Sequence, residues 1–162
     1  MIAAKPRRRW IIGVSFVAAL MLTAMPLPDW AVVGRPFWVA MVLVYWCMAL
    51  PRTVGIGTAW FVGLLVDVLT GSLLGQHAAC LAVVAFLTLS MHQRIRVFPL
   101  GQQALMVGVI LSAYLITLLV IRVFASTAPP NLGVFYPLVS SMLLWPWLFI
   151  ILRDIRRRFS VS

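Results

Sequence analysis

Residues 54–74 read Val-Gly-Ile-Gly-Thr-Ala-Trp-Phe-Val-Gly-Leu-Leu-Val-Asp-Val-Leu-Thr-Gly-Ser-Leu-Leu, an apolar run interrupted by one acid, Asp67. A helix needs about 20 such residues to cross the hydrocarbon of a bilayer, and this stretch supplies them. Lipid offers no partners to open backbone groups, so a continuous apolar run of this kind predicts a membrane helix. Within it Ala59, Gly63, Asp67, Gly71 and Gly75 recur every four residues. Small side chains at that spacing let helices approach closely. An acid in mid-span costs roughly 2.5 to 3.5 kcal/mol on insertion scales, so Asp67 is expected to face protein and to have a partner.

Five further apolar runs flank this one, giving six approximate spans at 10–25, 36–50, 54–74, 78–91, 102–121 and 132–152. The second and fourth are short and are expected to borrow flanking residues or to sit in thinned lipid. The chain is 64% hydrophobic and 10% charged, with a mean hydropathy of +1.07, too little polar surface to enclose a water-soluble core. The expected fold is an all-α integral membrane protein, a six-helix bundle forming one membrane domain over residues 1–162.

Eleven of the 13 basic residues lie at every second gap between the runs. Lys5, Arg7, Arg8 and Arg9 precede the first, Arg52 follows the second, Arg94 and Arg96 the fourth, and Arg153, Arg156, Arg157 and Arg158 the sixth. Lys/Arg bias in short loops sets orientation, which places both termini in the cytoplasm. Arg7, Arg8, Arg9 and the carboxyl-terminal four are thus topology signals that also suit anionic headgroups. Only Arg35 and Arg122 break the rule. The net charge of +10 does not point to nucleic acid, because that function gathers basic residues on one solvated face. The first segment resembles a secretory signal, but Leu22 stands where a cleavage site takes a small side chain, so an uncleaved span is expected.

The acids are Asp29, Asp67 and Asp154, with no glutamate, an inventory poor in general acids and bases. Cys47 and Cys80 are placed near opposite faces of the bilayer, which argues against a disulfide. No Cys/His grouping suggests a metal or cofactor. Asp67 falls in the outer half with Arg35, Arg122 and His77. Arg35 is the preferred partner, since the second and third spans share a short connection. In the sixth span Pro146 is expected to kink the helix, with Ser140 and Ser141 satisfying the loosened backbone. Trp145 and Trp147 beside it form either a partner surface or an internal wedge. Trp10, Trp30, Trp38 and Trp46 fit an interfacial aromatic belt.

Gly34-Arg35-Pro36-Phe37-Trp38, Tyr45-Trp46 leading to Leu50-Pro51-Arg52, Asp67-Val68-Leu69-Thr70-Gly71-Ser72-Leu73-Leu74-Gly75 and Leu144-Trp145-Pro146-Trp147 occur in that order and spacing. In these the chain resembles the rod shape-determining protein MreD family of Gram-negative bacteria. The resemblance implies a non-enzymatic inner-membrane subunit of the cell-elongation machinery that serves peptidoglycan synthesis. It implies contact with MreC and, through the complex, with MreB, RodZ, RodA and penicillin-binding protein 2. A homo-oligomer within the complex is compatible with it. It also implies a fold similar to the substrate-binding subunits of energy-coupling-factor transporters. The rival expectation is therefore a vitamin-binding subunit. Those subunits dock through an Ala-x-x-x-Ala motif on the first helix, whereas here Leu22 follows Ala18 and Thr23 follows Ala19.

Overall fold

The structure is a computed structural model that describes residues 9–125 and 132–159. These residues form helices α1 (Trp10–Ala24), α2 (Asp29–Val32), α3 (Trp38–Ala49), α4 (Ile56–Thr70), α5 (Gln76–Val97), α6 (Leu100–Phe124) and α7 (Tyr136–Phe159), the last preceded by a 3-10 turn at Leu132–Phe135. No strand occurs among the described residues. α5, α6 and the segment Leu132–Phe159 are long and apolar enough to cross a bilayer, while α1, α3 and α4 are apolar but shorter. Lys5, Arg7 and Arg8 lie outside the described residues.

α3 is the centre of the bundle. Every residue from Val39 to Met48 is buried, and α1, α5, α6 and α7 pack against it. This explains its length. At a rise of about 1.5 Å per residue its 12 residues reach only about 18 Å, but a helix sheathed by protein has no hydrocarbon to match. The outer helices present large apolar side chains instead, among them Val14, Met21, Phe61, Val68, Leu105, Ile116 and Leu143. A surface this apolar is suited to lipid.

The sixth run continues as helix past Leu152 to Phe159, and two other expected boundaries change. The third run ends as a helix at Thr70 rather than continuing to Leu74, because Gly71 takes a left-handed conformation (φ 65°) that caps α4. The fourth is not short. It starts at Gln76 and continues past Met91 through Arg94 and Arg96 as a 22-residue helix, whose basic last turn complements its C-terminal carbonyls.

The small-residue strip in α4 divides accordingly. Ala59 and Gly63 are buried, and a Cβ on Gly63 would collide with the Cα of Ala78 and lie 2.6 Å from its nitrogen. Gly63 therefore sets the approach of α4 to α5. Gly71 and Gly75 do not pack between helices. They shape the turn, Gly75 at φ 96°, where a side chain would be strained.

Candidate functional site

That turn surrounds Asp67. The aspartate occupies the last turn of α4, 1% exposed, and its carboxylate reaches across to the start of α5. Oδ1 accepts from Ser72 Oγ (2.9 Å), from the His77 backbone N–H (2.8 Å) and from His77 Nδ1 (2.8 Å). Oδ2 accepts from the Gly75 N–H (2.8 Å) and, at 3.5 Å, from that of Ala78. Helix N-termini leave such N–H groups without partners, and an anion there also complements the helix dipole. Asp67 thus caps a helix other than its own. Its carbonyl accepts from the Ser72 N–H (3.2 Å) as well, closing α4 at the same point.

The expected Arg35–Asp67 pair does not form. Among the described residues the titratable side chain that meets Asp67 is His77, at 2.8 Å. Arg35 turns the other way and donates to the carbonyls of Thr23 and, at 2.6 Å, Met25. It places a cation at the C-terminal end of α1, where carbonyls lack helical partners. Sequence adjacency of the second and third spans carried no information on helix rotation. The decisive signal was present in the chain, since Gly71 and Gly75 mark a turn that folds Ser72 and His77 back onto Asp67.

Arg35, Arg122 and His77 do meet, around a cavity of about 230 Å³. Thr70 and Tyr114 contribute polar groups to it, while Phe37, Leu81 and Leu118 make its apolar wall. Tyr114 lies 4.8 Å from the Phe37 ring and 6.4 Å from the His77 ring, centroid to centroid. The Phe37 N–H donates to Ser141 Oγ (2.9 Å), tying the start of α3 to α7. The cavity presents cations and hydrogen-bond donors. Its nearby carboxylate is already occupied by five donors, which leaves it no lone pair for proton abstraction.

At the other end of the bundle the Trp145-Pro146-Trp147 motif separates into two environments. Trp145 is fully buried and its indole N–H donates to Gln103 Oε1 (3.2 Å), whereas Trp147 is 71% exposed. The pair does not form one surface. Pro146 sits inside the continuous α7. Ser140 and Ser141 bond the carbonyls of Tyr136 and Pro137, short of the Met142 carbonyl that Pro146 leaves without its helical donor. Trp46 also departs from expectation. It is buried and donates to Ser15 Oγ (2.8 Å) between α3 and α1, while Trp10 and Trp30 are exposed. Gln103, unnoticed in the sequence, was detectable as one of two adjacent amides, Gln102 and Gln103, near the start of an apolar run. Arg9 stands at the N-cap of α1, and Arg153, Arg156, Arg157 and Arg158 lie in the last two turns of α7.

An all-helical apolar bundle whose ionisable groups are concentrated at helix ends is a membrane protein. The rod shape-determining protein MreD family profile matches residues 6–155. The chain is 35% identical over 153 residues to the rod shape-determining protein MreD of Haemophilus influenzae, covering 93% of each chain. The chain belongs to the MreD family. No solved structure matches it significantly.

Proposed function

We propose that this chain is a non-enzymatic subunit of the cell-elongation complex in the bacterial inner membrane, where it binds MreC within the bilayer and supports lateral-wall peptidoglycan synthesis. The family match over residues 6–155 carries this reading. Through MreC the subunit associates with MreB, RodZ, RodA and penicillin-binding protein 2. The chain acts as one membrane domain of six spans with both ends inside. The alternation of basic residues supports that threading.

In this reading the Asp67 cap and the Gly63 contact hold α4 to α5, and the Arg35 clasp holds α1 to the start of α3, so that the lipid-facing surface keeps one shape for its partner. The vitamin-binding alternative draws on the outer cavity and on similarity to transporter subunits. At about 230 Å³ that cavity is smaller than the ~300–1,000 Å³ typical of ligand pockets, and the docking motif is missing. Depletion of the protein in its native rod-shaped cell distinguishes them. Rounding with unaltered vitamin requirement is expected, and auxotrophy with normal shape refutes the proposal.

A further inference from the structure

The inner end of the bundle contains a second cavity, of about 200 Å³, between α3, α5, α6 and α7. Tyr45, Gln103, Arg96 and Arg156 provide its polar groups. Tyr45 is 1% exposed, and its hydroxyl is buried with no hydrogen-bond partner among the described residues. Buried hydroxyls almost always have partners, so this one calls for an explanation. The ring cannot swing away, being packed edge-on against Trp46 (5.2 Å) and Phe149 (5.6 Å).

The neighbours do not supply the missing acceptor. Gln103 is engaged at both ends, its Nε2 donating to the Ile95 carbonyl (3.2 Å) and its Oε1 accepting from Trp145. Asp154, an acid on the same helix as Arg156, is exposed and lies 3.8 Å from Arg153. The cavity therefore offers a phenol donor at its base and two guanidinium groups, Arg156 half-buried and Arg96 exposed at the rim. A phosphate fits that set, because guanidinium groups pair with its two charged oxygens and the O–H donates to one of them.

We propose that this cavity binds a phosphate group, carried by an anionic lipid of the cytoplasmic leaflet. Its volume is several times the ~30 Å³ share of one water molecule, which accommodates a phosphate and the carbons beside it but not acyl chains. Those chains lie along the outer apolar surface. Assignment to the cytoplasmic leaflet rests on the orientation proposed above, whereas phosphate binding itself does not depend on it.

The full chain purified in detergent provides the test, by native mass spectrometry and thermal unfolding with dioleoylphosphatidylglycerol, dioleoylglycerol or inorganic phosphate as probes. Dioleoylphosphatidylglycerol is expected to bind and to raise the unfolding temperature, while dioleoylglycerol, which lacks the phosphate, does not. Tyr45→Phe is expected to weaken that binding about tenfold, the loss of one hydrogen bond to a charged group. Without lipid the variant should unfold at the same temperature or higher, since an unsatisfied hydroxyl has been removed. Arg156→Gln is expected to weaken binding at least as much, and Arg157→Gln less than twofold. Equal losses at Arg156 and Arg157 would indicate diffuse surface attraction and overturn the proposal. Unchanged lipid binding by Tyr45→Phe would assign the hydroxyl to water and overturn it too. A Tyr45-dependent response to inorganic phosphate but not to the lipid would refute the lipid source. None of these results bears on rod shape after depletion, so the two proposals fail separately.

Discussion

Asp67 shows how a single side chain can be identified from sequence while its role is misread. Its position in an apolar run marked it as a group needing partners, but Arg35 was preferred because the second and third spans share a short connection, which says nothing of the turn that follows Asp67. Once Gly71 ends the helix, the carboxylate meets Ser72 and the N–H groups of Gly75 and His77. Asp67→Ala strands those donors, and losing a cap together with buried hydrogen bonds costs about 2–4 kcal/mol. Asp67→Asn keeps one acceptor oxygen, and a loss of about 1–2 kcal/mol is expected. Thermal unfolding in detergent checks the order Asp, Asn, Ala. Co-purification with MreC checks the consequence, the complex weakening in the same order. If Asn lowers the yield while stability is unchanged, Asp67 contacts the partner directly.

At the level of helices, two glycines that look alike in sequence differ in what faces them. Gly63 meets the backbone of Ala78, which cannot yield without moving α5. Gly108 meets the Met142 side chain, with Sδ 2.6 Å from where a Cβ would stand, and an unbranched thioether can change rotamer. Gly63→Ala is therefore expected to destabilise by about 1–3 kcal/mol, and Gly108→Ala by less than about 1 kcal/mol. Unfolding midpoints of the two variants measured side by side decide this, and equal losses would contradict it. Helix existence was legible because long apolar runs can do little else in lipid. Burial rank was not, since α3 and α6 both read as strongly apolar runs, and only the packing shows that α3 is enclosed while α6 has one face outward. Trp46 and Trp145 were obscured for the same reason, a Trp at a span end being suited both to headgroups and to an internal hydrogen bond.

For the whole molecule, the basic residues predict a threading that reporter fusions can check. A reporter active only outside the cytoplasm is expected to be silent after Ser162 and active at Asn131, and the opposite result would invert the orientation. The helices also differ in length by halves. α1, α3 and α4 have 15, 12 and 15 residues, against 22, 25 and 24 in α5, α6 and α7. Their helical lengths are then about 18–23 Å and about 33–38 Å. α1 contacts both α3 and α4, so the short helices neighbour one another. With α3 enclosed by protein, the proposed membrane arrangement leaves α1 and α4 as the short helices against lipid, and a bilayer resists a mismatch in height between them and α6. Any transmembrane helix that settles against the short side removes strained lipid as it does so. In the proposed function, the face of α1 and α4 is therefore where lipid favours a partner helix before specific contacts are made.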